Sequence, residues 1–415
     1  MKKITIIGLG YVGLPLAIEF AKKFSVIGFD ISEKRVSELK KGIDSNGEFT
    51  NNEILNKKIN FTFLENDLID SGFFIITVPT PLKNNNKPDL GPLKRASILV
   101  GNKIKKGDIV IYESTVYPGC TEEECVPILE KNSGLIYNVD FFCGYSPERI
   151  NPGDKKRKLK NIKKVVSGSN LKTTKIVNDL YTNIISAGTY IAPSIKVAEA
   201  SKIIENVQRD VNISLMNEFA LIFEKLDLDT REVLDAASTK WNFLNFKPGL
   251  VGGHCIGVDP YYLAYKSEKS GYKPKVLLNG RKVNNNISKN IFKSIQRECI
   301  NNEIDLKKCR TLILGITFKE NCSDIRNSRV VDLYNHFKKL TNNIDVYDPC
   351  ADKDKVYLFS KIKLIDIIEK KYDVVVLAVA HNQFLTIDYK DILNKKYVLY
   401  DVKSVLPKKL ITLRL

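Results

Sequence analysis

The chain has 415 residues, enough for two or three domains at about 150 residues each. Hydrophobic residues make up 43% and charged residues 27%, which excludes wholesale disorder and fibrous repeats, and no run approaches the roughly 18 consecutive apolar residues of a bilayer-crossing helix. Lysine plus arginine outnumber aspartate plus glutamate by 65 to 48, a formal charge of +17. The cations are spread among asparagines instead of gathered in one arm, so no nucleic-acid partner and no membrane are expected, only an affinity for polyphosphate ligands. The densest run, Lys155-Lys156-Arg157-Lys158 followed by Lys160, Lys163 and Lys164, reads as a solvated connection. The first apolar run, Ile4 to Leu9, lacks the length and cleavage site of a signal peptide, so a cytoplasmic location is expected. Of eight cysteines only Cys120 and Cys125 are close together, which suits reduced, buried thiols.

In chain order, Lys3 to Ile7 is a β-branched run followed by Gly8-Leu9-Gly10-Tyr11-Val12-Gly13 and a helical apolar pattern through Leu14, Leu16, Ile18 and Phe20. Ser25 to Phe29 forms a second strand ending at Asp30. Phe73 to Val78 and Asp108 to Tyr112 read as further buried parallel strands, closing in Pro79-Thr80-Pro81 and Ser114-Thr115. From Lys196 to Lys225 there is no proline or glycine, and Val197, Ile203, Ile204, Val207, Val211, Leu215, Phe219 and Ile222 predict one helix of about 30 residues, roughly 45 Å long. Strand signals resume at Arg310 to Gly315, Ile344 to Asp348, Asp373 to Val379 and Tyr397 to Asp401. The fold class expected is α/β, with two Rossmann-like doubly wound parallel-sheet domains joined by a long central helix.

Three constellations carry chemistry. Gly8, Gly10 and Gly13 have the spacing of a dinucleotide turn: the first glycine makes the turn, the second lets backbone approach a pyrophosphate, and the third packs helix on strand. Asp30, 20 residues beyond Gly10, is placed to accept both adenosine-ribose hydroxyls and to repel a 2′-phosphate, which favours NAD over NADP. In Gly252-Gly253-His254-Cys255-Ile256-Gly257-Val258-Asp259-Pro260, glycine-flanked cysteine can be a mere packing residue, but a thiol beside a histidine and four residues before an aspartate is placed as an exposed nucleophile. With three histidines in the chain and no second cluster, no metal is expected. Lys202 and Asn206 share one face of the long helix, flanked by Glu205 and Arg209, which read as solvated.

These motifs, with Val78-Pro79-Thr80-Pro81, Glu113-Ser114-Thr115-Val116-Tyr117-Pro118-Gly119, Ser146-Pro147-Glu148-Arg149, Ala198 to Asn206, and Thr317-Phe318-Lys319 with Asp324-Ile325-Arg326, resemble in order the UDP-glucose/GDP-mannose dehydrogenase family over nearly the whole chain. The cysteine loop, with valine rather than lysine before Asp259, resembles the branch that oxidises UDP-2-acetamido sugars, and the segment Gly42 to Glu48 is similar to the branch acting on UDP-N-acetylglucosamine or its C4 epimer more than to the one acting on UDP-N-acetylmannosamine. The resemblance implies oxidation of a sugar C6 alcohol to a carboxylate with two NAD, for surface polysaccharide synthesis. It implies an NAD-binding domain over 1–192, a central helical dimerisation region with the cysteine loop over 193–300, and a UDP-sugar-binding domain over 301–415. Cys255 would be the nucleophile, and Lys202 and Asn206 the oxyanion donors. Asp259 and, through water, Thr115 would handle protons, and Glu148 would assist thioester hydrolysis. Gly8, Gly10, Tyr11, Val12, Gly13, Asp30, Arg35, Thr80, Thr115 and Arg326 would hold the cofactor. Glu148, Arg149, Lys202, Asn206, Gly252, His254 and Lys319 would contact the UDP-sugar. A homodimer is implied, in which Lys240 stands where relatives carry an arginine reaching the partner's site, and Pro152 stands where some have a second glutamate. UDP-N-acetylmannosamine or UDP-glucose as substrate, or a non-catalytic nucleotide-sugar sensor, are the alternatives; the joint presence of Cys255, Lys202, Asn206 and Asp259 counts against a sensor.

Overall fold

The computed structural model describes residues 3–55, 58–68, 71–149, 158–253 and 256–415. They divide into two compact units, 1–205 with 261–272, and 206–260 with 273–415. Within the first, eight strands form one sheet: β1 (Lys3–Ile7), β2 (Val26–Phe29), β3 (Ile59–Thr62), β4 (Ser71–Ile76), β5 (Ile109–Tyr112), β6 (Phe142–Tyr145), β7 (Lys164–Gly168) and β8 (Thr189–Ile191). Their order is β3-β2-β1-β4-β5-β6-β7-β8, and every pairing is parallel except β6 with β7. The order reverses beside β1, the kind of switch point at which open α/β sheets bind ligands. The helices are α1 (Gly13–Phe20), α2 (Glu33–Lys40), α3 (Asn51–Leu55), α4 (Gly91–Gly101), α5 (Val126–Ser133) and α6 (Leu171–Thr182). Ile4 and Ile6 of β1 join Val26, Ile75 and Ile111 in a core closed by Leu14, Ala17 and Phe20 of α1 and Leu180 and Tyr181 of α6. Each such aliphatic side chain removed from water contributes about 1.5–3 kcal/mol.

The long helix is found where periodicity puts it, as α7 (Ile195–Lys225). Its apolar residues split into two stripes. Ala198, Ile203, Val207, Met216 and Ala220 are buried, whereas Val197, Ile204, Leu215 and Ile222 recur on another side and stay exposed, Ile204 at 55%.

Beyond it come α8 (Thr230–Ala237), α9 (Asp259–Lys269) and α10 (Lys275–Asn301). The sheet of the second unit contains β9 (Thr311–Leu314), β10 (Ile344–Tyr347), β11 (Tyr372–Leu377), β12 (Leu393–Asp401) and β13 (Leu413–Arg414), in the all-parallel order β10-β9-β11-β12-β13. The helices α11 (Arg329–Lys338), α12 (Lys353–Ser360) and α13 (Tyr389–Ile392) complete it. Side chains alternate between two cores: Ile313, Val374, Val376 and Val398 face one, and Leu312, Leu314, Val375, Leu377 and Leu399 the other. A sheet covered on both faces explains why Leu312 to Leu314 of β9 and Val374 to Leu377 of β11 are apolar without a break instead of alternating.

One expectation needs correction. Lys158, Lys160 and Lys163 are exposed, but Lys164, assigned to the same solvated connection, opens β7 and is 2% exposed. Its burial is possible because two carboxylates receive its ammonium. Lys155, Lys156, Arg157 and Pro152 lie outside the described residues.

Candidate active site

The glycine turn after β1 leads straight into α1. Gly8 has φ +96°, and a Cβ on Gly13 would stand 1.8 Å from the Gly8 carbonyl oxygen, so neither position admits another residue without a shift of backbone. Gly10 differs: a Cβ there would meet nothing within 4 Å, which leaves room above the turn at the start of α1. The Asp30 carboxylate accepts the Leu9 N–H at 2.9 Å and the Ser32 N–H at 2.9 Å, locking the end of β2 to the turn. Arg35, whose own N–H is capped by the Ser32 hydroxyl, donates through Nε to the Leu9 carbonyl at 3.1 Å and pairs with Asp44 at 2.8 Å. Asp44 also accepts the backbone N–H groups of Asn46, Glu48 and Phe49. The Gly42–Glu48 segment, read above as a marker of the sugar, thus braces Arg35 beside the glycine turn. Open room at Gly10, a helix start and the Asp30 carboxylate at the end of β2 fit a dinucleotide. Tyr11, Val12, Thr80 and Thr115 are half-buried in the same unit, and the Thr80 carbonyl receives the Tyr262 hydroxyl at 2.9 Å.

At the far ends of β5 and β6 the first unit buries a charge cluster. Lys164 Nζ donates to Glu113 Oε2 at 2.7 Å, to Glu148 Oε2 at 3.0 Å and to the Pro147 carbonyl at 3.1 Å. The Tyr181 hydroxyl donates to the other oxygen of Glu113. Burial pushes the Glu113 carboxyl up to about 7, with Lys164 opposing it. Burial alone would lower Lys164, but the two carboxylates outweigh it and hold the ammonium above its ordinary value. Glu148 also accepts the Arg149 N–H, and the Arg149 guanidinium pairs with Glu205. Lys202 of α7 is buried at 4% exposure, while Glu205 and Arg209 are exposed as expected.

In the second unit, Asn206 Nδ2 donates to Asp259 Oδ2 at 2.6 Å, joining α7 to the start of α9; both side chains are buried. His254 and Cys255 lie outside the described residues. Their flanks are held closely. A Cβ on Gly252 would come within 2.8 Å of the Asn327 carbonyl oxygen, and one on Gly253 within 2.9 Å of the Phe318 ring. Asn217 grips the loop's entry, donating to the Gly249 carbonyl at 3.1 Å and accepting its N–H at 2.8 Å. Lys319 follows Phe318 and borders a recess also lined by Leu250, Arg329 and Lys403, three cations around one hollow. Arg326, expected among the cofactor contacts, belongs to this unit and makes a two-pronged pair with Asp324.

The chain matches the UDP-glucose/GDP-mannose dehydrogenase family in three successive pieces: its NAD binding domain over residues 2–185, its central domain over 196–286 and its UDP binding domain over 312–408. It is 52% identical over 410 residues to the UDP-N-acetyl-D-glucosamine 6-dehydrogenase of Salmonella typhi, covering 98% of this chain and 96% of that protein. The Pseudomonas aeruginosa enzyme of the same name is 50% identical over 418 residues, covering 100% and 99%. The chain belongs to this family. Among solved structures, the UDP-D-ManNAc dehydrogenase of Pyrococcus horikoshii superposes with a TM-score of 0.90 at 28% identity, covering 99% of this chain and 98% of that one.

As a member of the UDP-glucose/GDP-mannose dehydrogenase family the chain is an NAD-dependent oxidoreductase acting on a UDP-sugar, and no helix among the described residues is long and apolar enough to cross a membrane. Sequence reasoning passed over two groups of this dehydrogenase. Lys164 was masked by its basic neighbours, although the β-branched Val165-Val166 that follow signal a strand start. Asp348, Cys350 and His381 converge in the second unit with ligand atoms within 4.8 Å of one another. Hydrogen bonding occupies the Asp348 carboxylate and the His381 ring. Asp348 accepts the N–H groups of Ile316, Thr317, Cys350 and Ala351, while His381 Nδ1 accepts the Asn321 N–H at 2.9 Å and its Nε2 faces Asp348 at 3.1 Å. With Nδ1 accepting, Nε2 carries the proton and donates.

Proposed function

We propose that the chain oxidises the C6 alcohol of a UDP-2-acetamido sugar, UDP-N-acetylglucosamine or UDP-N-acetylgalactosamine, to the uronic acid. The observation that carries the sugar is the identity with the two UDP-N-acetylglucosamine 6-dehydrogenases, nearly twice that with the mannosamine enzyme. NAD, when bound at the Gly8–Gly13 turn beside Asp30, accepts hydride. The Cys255 thiol adds to the aldehyde carbon, giving a thiohemiacetal whose carbon again carries a transferable hydrogen; loss of that hydride leaves a thioester. Lys202 and Asn206 donate to the developing oxyanion, and the buried Asn206–Asp259 hydrogen bond fixes the Asn206 amide for that task. Asp259 and, through water, Thr115 move protons, and Glu148 assists hydrolysis. Tyr11, Val12, Arg35, Thr80, Thr115 and Arg326 complete the cofactor contacts; Arg149, Gly252, His254 and Lys319 serve the UDP-sugar, whose diphosphate suits the cations around the second-unit recess.

The exposed apolar stripe of α7, Val197, Ile204, Leu215 and Ile222, supports a homodimer, with exposed Lys240 available to a neighbouring subunit. Seven described cysteines, all free, suit a cytoplasmic setting in which the product serves polysaccharide synthesis. NADH release measured against UDP-N-acetylglucosamine, UDP-N-acetylgalactosamine, UDP-N-acetylmannosamine and UDP-glucose tests the reading. Two NADH form per sugar, and an acetamido sugar of the gluco or galacto series exceeds UDP-glucose at least about tenfold in kcat/KM, because a site built for an amide leaves polar groups unpaired against a hydroxyl. Equal turnover of UDP-glucose would remove the sugar assignment.

A further inference from the structure

The cluster of Glu113, Lys164, Glu148 and Tyr181 lies inside the first unit, built by residues just after β5 and β6, at the start of β7 and in the last turn of α6. Taking an ammonium and two carboxylates out of water costs several kcal/mol per ion, so such a group is weak support for the fold and calls for another reason to be there. The geometry supplies one. All three protons of the Lys164 ammonium are directed, to Glu113, Glu148 and the Pro147 carbonyl. The Glu148 carboxylate is held at both oxygens, by Lys164 and by the Arg149 N–H. Glu113 in turn holds Lys164, and Tyr181 closes the far side of Glu113.

We infer that Lys164 is a positioning residue for thioester hydrolysis: by fixing the Glu148 carboxylate in one orientation, it keeps ready the base that activates water. This rests on the role proposed for Glu148. In the step concerned, water adds to the thioester carbonyl and the C–S bond breaks. Sulfur leaves as the Cys255 thiolate, and the protons of water pass through Glu148 to the thiolate and to solvent, giving carboxylate and free thiol with no change of oxidation state. Glu113 keeps the arrangement charged. With two carboxylates around it the lysine stays an ammonium in spite of burial, and the pair leaves Glu148 facing a cation at 3.0 Å.

The inference separates hydrolysis from the two hydride transfers that precede it. With UDP-N-acetylglucosamine and NAD, Lys164→Met releases two NADH per active site in the first turnover at a rate within threefold of the parent. Steady-state turnover then falls at least tenfold, KM for the sugar nucleotide stays within threefold, and intact-protein mass spectrometry finds the acyl adduct. Lys164→Arg, which keeps the cation, restores most of the steady-state rate. Glu148→Gln is the control. If it accumulates adduct and Lys164→Met does not, the positioning role is wrong while the Glu148 reading stands; if Glu148→Gln accumulates none, both fall together. A Lys164→Met protein slowed equally in its first NADH and in steady state has lost general structure, which also overturns the inference. Should Lys164→Met fail to fold, Lys164→Met with Glu113→Gln removes the unpaired buried carboxylate and is read in the same way.

Discussion

Each unit places an aspartate after its second sheet strand and ties it to the turn after its first, yet the two turns do different work. Asp30 accepts the N–H groups of Leu9 and Ser32 and is half-buried; Asp348 accepts those of Ile316, Thr317, Cys350 and Ala351 and is 4% exposed. Both turns begin with a glycine in the left-handed region, Gly8 at φ +96° and Gly315 at +89°. The difference lies in what faces the carboxylate. Over Asp348 sits His381, fully buried, its Nε2 at 3.1 Å. The first turn has open space at Gly10 instead. Strand, glycine and aspartate therefore specify the turn, while a residue from a distant strand end closes over the second carboxylate and commits it to the fold.

The strongest way to break this comparison is at the glycines. Helix propensity alone would make Gly13→Ala stabilising by about 1 kcal/mol. Sterics win, because the added Cβ would lie 1.8 Å from the Gly8 oxygen. Opening the turn should cost at least about a hundredfold in kcat/KM for NAD, since a misplacement of about 1 Å is worth that much in positioning. Gly315→Ala meets Val379 Cβ at 2.5 Å in a left-handed backbone, so it should lower the melting temperature while leaving KM for NAD within about twofold. A specific loss of NAD affinity in Gly315→Ala would erase the distinction.

Next come the aspartates themselves. Asp30→Ala should raise KM for NAD about tenfold and narrow its preference over NADP, with KM for the UDP-sugar nearly unchanged. Asp348→Asn instead strips a buried, multiply bonded carboxylate and should cost about 3 kcal/mol of stability, measured by urea unfolding, with little effect on NAD. An Asp30 variant that still rejects NADP as the parent does would show that the carboxylate does not read the ribose.

His381→Leu is a smaller perturbation. It removes the acceptor of the Asn321 N–H and the hydrogen bond to Asp348, and so loosens the turn whose Thr317 hydroxyl donates to the Lys319 carbonyl at 2.9 Å. Two buried hydrogen bonds are lost at about 1 kcal/mol each, and with about half of that felt at the Lys319 loop KM for the UDP-sugar should rise about fivefold, with kcat within about twofold. An unchanged KM would sever His381 from the Lys319 loop.

The sequence carried these features unevenly, for physical reasons. Strands β1, β2, β9 and β11 were readable because both-face burial makes them continuously apolar, and α7 because no glycine or proline interrupts it. The Asp30 turn was readable because its partners lie within one βαβ unit. Lys164 was not, since its two carboxylates stand 51 and 16 residues away, and the strand signal of Val165-Val166 does not by itself tell a buried lysine from Lys163. The covering of Asp348 was hidden likewise: His381 is 33 residues away, at the end of another strand. The two stripes of α7 blurred into one list because a helix apolar on two sides shows period 3.6 on both.

The smallest expected effect concerns pH, where buried carboxylates of the two units should slope in opposite directions. Burial pushes Asp348 up, but the hydrogen bond from His381 and those from the surrounding N–H groups outweigh it, holding the carboxyl below its ordinary value. Its contribution is therefore complete above the unfolded value of about 4 and is lost as pH falls through the lower folded one. In the first unit Glu199, which accepts the N–H groups of Gly119 and Thr121, is pushed up to about 7 because burial exceeds what those bonds return. There the folded state holds its proton more tightly, so the contribution is greatest below the unfolded value and declines as pH rises from about 4.5 to about 7. Glu199→Gln should flatten the melting-temperature profile over that window, worth roughly 1–3 kcal/mol across it. Asp348→Asn should flatten only the acid limb. If Glu199→Gln keeps the parent's slope between about pH 5 and pH 7, the Glu199 carboxyl titrates at its ordinary value and the contrast between the two carboxylates fails.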